Sequence, residues 1–172
     1  MSGFIMARRA GGADVPAMYR IYNTNLDEYF APESIEFFML QWPRGQFVAE
    51  AITGGVAGAL SSYIMEDGAA TITLLAVDTA FRGLGAGTSL MDAFLPEAVA
   101  AGAPRIQLET RDTNLGAIGF YKRRGFRITE RLPGLYTDGG AGVRMVLDLS
   151  RASAASIRPP PLRSRSLSRW RC

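Results

Sequence analysis

The sequence predicts an α/β (α+β) domain, with helices packed on the faces of one central sheet. Three observations carry this. Strand-like and helix-like segments follow one another in the order β-α-α-β-β-β-α-β-α-β-β. Glycine-bearing hairpin signals, Thr53-Gly54-Gly55 and Glu66-Asp67-Gly68, join the strands of the first half. An apolar run from Ile72 to Val77 leads into a glycine-rich loop ahead of an amphipathic helical stretch. A chain of 172 residues is long enough to bury a full core.

Taken in order, Phe4 to Arg8 reads as the first strand. Asp14 is placed to cap a helix whose apolar positions Val15, Met18, Tyr22 and Leu26 recur at helical spacing, with Pro16 tolerated in its first turn. Asn25 to Pro32 breaks that pattern. A second short helix runs from about Glu33 to Leu40, until Trp42-Pro43 stops it. Gln46 to Ala51 and Val56 to Ile64 flank the first hairpin turn, and Ala70 to Val77 forms the strand before the glycine loop. The helix after the loop presents Leu84, Met91, Leu95 and Ala98 on one face, with Leu90 and Phe94 at its edge. Pro96 lacks an N–H and predicts a kink or an early end there.

Ala103-Pro104 turns the chain into a strand from Arg105 to Glu109. Asp112-Thr113-Asn114 starts a helix over Leu115 to Arg124, and Gly125 ends it. Phe126 to Leu132 and Val143 to Leu149 complete the strands, around a glycine-rich loop from Pro133 to Gly142. From Arg151 the composition turns to Ser, Ala, Pro and Arg, too poor in apolar surface to order itself. The expected organisation is one domain over 1–150 and a disordered tail over 151–172.

Composition excludes several chemistries. There is no histidine, so imidazole bases, histidine triads and histidine-bearing zinc sites are out, and no metal site is expected. The single cysteine is Cys172, which leaves no internal disulfide framework and no buried thiol nucleophile. No apolar run approaches the ~18 residues of a membrane span, and Arg8-Arg9 has no apolar segment behind it to make a signal peptide. A cytoplasmic protein is expected. Six of the 19 basic residues lie in 151–172, leaving 13 against 16 acids in the body. The acidic body carries no RNA-reading motif, so nucleic acid or ribosome contact through the tail is not expected.

A strand feeding a glycine-rich loop at a helix N-terminus presents unpaired N–H groups at the positive end of the helix dipole, which suits a pyrophosphate. The loop Arg82-Gly83-Leu84-Gly85-Ala86-Gly87-Thr88 has no Gly-Lys-Ser/Thr, and its glycines do not keep the dinucleotide spacing. Its Arg82-x-x-Gly85-x-Gly87 pattern, just after a strand ending in Ala76-Val77-Asp78, resembles the acyl-coenzyme A loop of the GNAT N-acetyltransferase superfamily. Asn114, Ala117, Tyr121, Gly125 and Phe126 match the second half of that site, N-x-x-A-x-x-x-Y-x-x-x-G-F. The E-x-R-x-x-N spacing from Glu109, the Asn25-Leu26-Asp27-Glu28 segment and Tyr136-x-Asp138-Gly139 resemble the ribosomal-protein and archaeal N-terminal acetyltransferases within it.

The resemblance implies a mostly antiparallel sheet of about seven strands with four helices, acetyl-CoA as donor, and a primary amine as acceptor, foremost a protein N-terminus. It assigns Glu109 as the base and Tyr121 as the acid toward the departing thiolate. It assigns residues 75–77 and 82–88, with Asn114, Ala117 and Tyr121, to the coenzyme, and Leu26, Glu28, Tyr29 and Tyr136 to the acceptor. On the residues alone, Glu109 also reads as a solvated strand-end charge, Tyr121 as helix packing with an exposed hydroxyl, and Glu28 as either a second candidate base or a surface charge. Lys122, Arg123 and Arg124 are either a solvated helix end or a contact for the coenzyme's outer phosphate. The first of the family's paired tyrosines is Leu135 here. The acids after Asp138-Gly139 are Gly140 and Ala141, and a histidine common on the fourth strand is Thr71. Those departures leave a small-molecule amine acetyltransferase, or a non-catalytic acyl-CoA-binding module, as the alternatives.

Overall fold

The computed structural model describes residues 5–150; the expected tail lies outside them. The strands are β1 (Ile5–Arg9), β2 (Phe47–Ala51), β3 (Val56–Ile64), β4 (Ala70–Val77), β5 (Arg105–Arg111), β6 (Arg127–Leu132) and β7 (Gly142–Asp148). The helices are α1 (Val15–Asn25), α2 (Pro32–Gln41), α3 (Ala86–Ala100) and α4 (Leu115–Arg123). One seven-stranded sheet runs β1-β2-β3-β4-β5-β7-β6. Every neighbouring pair is antiparallel except β4 and β5. The expected fold class holds.

The sheet separates two cores. Val15, Met18, Ile21 and Tyr22 of α1, with Ile35 of α2, pack on Val48, Ala59, Leu74 and Ala76. On the other face, Leu90, Met91, Phe94 and Ala98 of α3 and Ile118, Phe120 and Tyr121 of α4 pack on Phe47, Leu60, Ile106, Leu108 and Met145. An 11-residue helix such as α1 is marginal alone in water. Fully burying Met18, Ile21 and Tyr22 contributes about 1.5–3 kcal/mol for each large side chain and holds it in place. The hairpin turn between β2 and β3 needs its glycines, because Gly54 and Gly55 have φ of 83° and 94°.

Three local expectations are corrected. Asp14 does not cap α1: its carboxylate accepts from both Arg8 amino groups at 2.9 Å and from the Gly11 amide at 2.8 Å. The better-placed cation outbids the helix end. Pro96 does not end α3 early; the helix continues to Ala100. Pro96 is exposed, so the carbonyl it leaves unbonded can turn to water while Phe94 and Ala98 anchor both sides of it. The buried stripe of α3 is also rotated from the expected one, with Leu90 and Phe94 at its centre; Leu84 precedes the helix and is exposed.

Candidate active site

The site originates in a defect of the sheet. β4 and β5 pair over three positions only, Ala70–Ile106, Thr71–Gln107 and Ile72–Leu108. At that point the β3–β4 register slips, with Ser62 opposite Ile72 and Ser61 opposite Leu74, so Thr73 is an extra residue. This bulge reverses the alternation of β4: Ile72 faces the α3 core and Leu74 the α1 core. Beyond it β4 and β5 diverge, and the edge of β4 from Thr73 to Val77 lies unpaired toward β5.

The gap opens into a cleft of about 320 Å³ whose walls include Ile72 to Leu75, Leu108 to Arg111, Asn114, Ala117, Tyr121, Asn25 to Glu28, Phe30 and Tyr136. A second cleft of about 190 Å³ continues past Ala76, Val77, Arg82 and Phe120. The two share Asn25, Leu26, Leu75, Asn114, Ala117 and Tyr121.

Two loops flank the first cleft and are tied together. Asn23 pins the α1–α2 loop by bonding both the amide (2.8 Å) and the carbonyl (2.9 Å) of Phe30. Arg111, at the end of β5, pairs with Asp27 of that loop and with Asp138 of the β6–β7 loop, the latter at 3.0 Å. Its guanidinium also lies 4.0 Å from the centre of the Tyr136 ring. Glu28 accepts hydrogen bonds from the Thr137 amide and hydroxyl, both at 3.0 Å. A Cβ on Gly140 would stand 2.4 Å from Arg111 Nη1, so the glycine that replaces an acid here makes room for the clamp.

The charges are balanced in pairs. Arg111 holds the Asp138 carboxyl below the usual carboxylate range, helped by the Gly140 amide. Burial pushes the Tyr136 phenol up to about 12, so it remains a hydrogen-bond donor at neutral pH. Glu109 sits opposite Arg144 on β7 and accepts from it at 2.8 Å; Arg144 also pairs with Glu130 of β6.

On the donor side, Asp78 accepts from the Ala80 amide at 3.0 Å and starts the turn that leads to the glycine loop. Gly83 and Gly85 have φ of 75° and 85°, which only glycine adopts without strain, and a Cβ on either would meet nothing within 4 Å. Backbone shape rather than crowding requires them. Gly85 is the N-cap of α3 and has no side chain to bond the first amides of the helix. A shallow recess lies there, lined by Val77, Phe81, Arg82, Gly83, Gly85, Ala86, Gly87 and Thr88, with no carboxylate among them. A further recess is lined by Thr88, Phe120, Arg123 and Arg124.

A family model for the GNAT acetyltransferases matches residues 15–126, most of the chain. The chain belongs to the GNAT acetyltransferase family. An uncharacterized N-acetyltransferase of Methanocaldococcus jannaschii is 32% identical over 143 residues, which are 83% of this chain and 90% of that one. The N-alpha-acetyltransferase 30 of Schizosaccharomyces pombe is 30% identical over 131 residues, 74% of this chain and 87% of its own. The human protein of that name is longer, and the chain spans 38% of it at 28% identity. Among solved structures, Ard1 from Thermoplasma volcanium superimposes with a TM-score of 0.80 at 34% identity, covering 84% of this chain and 97% of that one.

As a GNAT enzyme it is an acetyl-CoA-dependent N-acetyltransferase. The residues present fit that donor. The unpaired edge of β4 offers backbone N–H and C=O groups to a ligand arm carrying amides. The open amides at the start of α3, beside Arg82, suit a diphosphate.

The expected site residues are distributed as follows. Glu109, Tyr121, Leu26, Glu28, Tyr136, Leu75, Asn114 and Ala117 line the first cleft together. Ala76, Val77 and Arg82 line the second, and Gly83, Gly85, Ala86, Gly87 and Thr88 the recess beyond it. Leu84 points away, half exposed. Tyr29 is not brought to the cleft: it is exposed and stacks edge-on against Tyr19, while its neighbour Phe30 takes the place in the wall. Asn114 has a structural task as well, accepting from the Ala117 amide at 3.1 Å to cap α4. Of the basic run, Arg123 and Arg124 line a recess and Lys122 does not. Arg111, Asn23 and Asn25 received no role from the sequence. Arg111 stands in the E-x-R-x-x-N spacing, but nothing in the sequence ties it to Asp27 or Asp138.

Proposed function

We propose that the protein transfers the acetyl group of acetyl-CoA to the α-amino group of a protein or peptide N-terminus, by direct attack in a ternary complex. The observation that carries this reading is the junction of the two clefts. Tyr121 and Leu75 belong to both, so a thioester lying along β4 meets an acceptor entering from the side of Glu28 and Glu109. The names of the relatives point the same way.

An ammonium has no lone pair, so one proton must first leave the nitrogen. Glu109, directly or through a water, is the base we assign, with Glu28 the other carboxylate in the same cleft. The amine then attacks the thioester carbon, and a backbone N–H near Val77 stabilises the oxyanion. The nitrogen gives up its second proton to solvent, the C–S bond breaks, Tyr121 protonates the coenzyme A thiolate, and a proton from solvent restores its phenol. Amide and thiol leave, with one net proton released.

Leu135, standing where the resemblance leads one to expect a tyrosine, favours a second reading in which the acceptor is a small amine. Thiol release measured with acetyl-CoA and peptides bearing free or blocked α-amines, against spermidine and an aminoglycoside, separates the two. Turnover of free-amine peptides alone is expected; turnover of the small amines alone would remove the N-terminal reading.

A further inference from the structure

Among the described residues, four buried side-chain polar atoms have no hydrogen-bond partner: Asn25 Oδ1, Thr71 Oγ1, Arg111 Nε and Arg144 Nε. The two guanidiniums are already ion-paired. Thr71 does not line either cleft. Asn25 does, and it lines both, in the stretch of wall they share with Tyr121. Its amide NH2 is turned back on α1, donating to the Ile21 carbonyl at 2.9 Å. That bond fixes the side chain and leaves the carbonyl oxygen as the uncommitted end. A buried acceptor left unpaired is costly, so it takes its donor from a bound ligand or an ordered water.

We propose that Asn25 Oδ1 is the hydrogen-bond acceptor for the reacting nitrogen of the acceptor amine. An oxygen that can only accept requires an N–H or O–H on its ligand. The primary amine brings N–H groups to the junction where nitrogen and thioester must meet. Before reaction Asn25 takes one N–H of the ammonium, and a carboxylate receives the proton that leaves. The neutral amine keeps two N–H groups, and holding one of them turns its lone pair to the thioester carbon. As the C–N bond forms, positive charge grows on nitrogen and the same hydrogen bond strengthens, so Asn25 acts in the transition state as well as in binding. This rests on the acetyl-transfer reading above but holds for any primary amine acceptor.

The test compares wild type with Asn25→Ala and Asn25→Asp in the full chain. The probes are short peptides with a free N-terminal Ala, Ser or Met, and spermidine. Coenzyme A affinity is measured by calorimetry and folding by thermal melting. Expected for Asn25→Ala is a fall in kcat/KM for the acceptor of about 10- to 100-fold, the scale of a hydrogen bond to a charged group. Coenzyme A affinity and melting temperature stay within error. Asn25→Asp keeps an acceptor oxygen but loses the bond to the Ile21 carbonyl that orients it, so it recovers only part of the loss. Peptides beginning with proline, whose neutral amine has one N–H, are discriminated against less strongly by Asn25→Ala than by wild type. Unchanged acceptor kinetics in Asn25→Ala overturns the proposal and leaves the N-terminal reading intact. A loss of coenzyme A affinity overturns it by assigning the oxygen to the donor. Turnover of spermidine alone removes the N-terminal reading, while the same selective loss on spermidine upholds Asn25. If wild type turns over no amine, both fall.

Discussion

At the scale of single residues, Glu109 and Tyr121 share a cleft but stand in different surroundings. Tyr121 is buried, with rings of Phe120 and Phe126 at 5.2 and 5.5 Å, so removing its hydroxyl leaves the packing intact. Glu109 is exposed on its strand and carries Arg144 on one oxygen. Proton transfer by a positioned side chain contributes about 10²–10⁴-fold to a rate. Glu109→Gln and Tyr121→Phe are each expected to lower kcat by about 10²-fold or more while coenzyme A affinity is retained. Steady-state kinetics with calorimetry checks this, and full turnover in Glu109→Gln would pass the role of base to Glu28. Both residues were readable from the sequence, because each stands at a fixed offset from Asn114. Tyr29 lies outside the cleft for a plain reason. A loop has no period, and whether position 29 or 30 turns inward is set by Asn23 gripping the Phe30 backbone, a contact seven residues away.

At the scale of elements, the strands and helices were legible because each carries its own period or punctuation. The two hairpins and the glycine loop fall where Gly54 and Gly55, Gly68, and Gly85 demand positive φ. What sequence reasoning could not see is the extra residue in β4. Ile72 and Leu74 alternate as an ordinary strand would; only the slip against Ser61 and Ser62 shows that they face opposite cores. The clamp between the α1–α2 and β6–β7 loops was equally hidden, since it joins positions 27, 111 and 138. Gly140→Ala tests it. The added carbon, 2.4 Å from Arg111 Nη1 and 2.9 Å from Asp138 Oδ1, must push the guanidinium off its pair. Acceptor KM is expected to rise several-fold with coenzyme A affinity unchanged. An unaltered acceptor KM would mean that the tied loops do not shape the acceptor cleft.

At the scale of the whole molecule, the absence of histidine has a thermodynamic consequence. Among the described residues, Asp14, Asp67, Glu97 and Asp138 have carboxyls held below the usual range, chiefly by arginine partners. Each therefore adds stability that is present above its unfolded pKa, near 4, and is lost as pH falls through the lower folded value. With no imidazole to titrate between pH 5.5 and 8, stability across that window is expected to be flat within about 1 kcal/mol, then to fall below about pH 4. Denaturant titration at a series of pH values checks it, and a step near pH 6.5 would contradict it. The sequence reached the fold class through the order of elements and the donor site through two local motifs. The acceptor side was only partly legible, because its walls come from five separate stretches of chain that meet only in the folded state.

The donor site rests on one physical arrangement, in which the amides opening α3 and the freed edge of β4 together receive coenzyme A. Calorimetric titration of coenzyme A into wild type and into Gly85→Ala, whose φ of 85° penalises any side chain, tests that arrangement most directly. One molecule bound per chain, with affinity reduced about tenfold or more in the variant and an unchanged fold, is the expected result. Absence of heat and of thermal shift with wild type, or equal affinity in the two proteins, would contradict it.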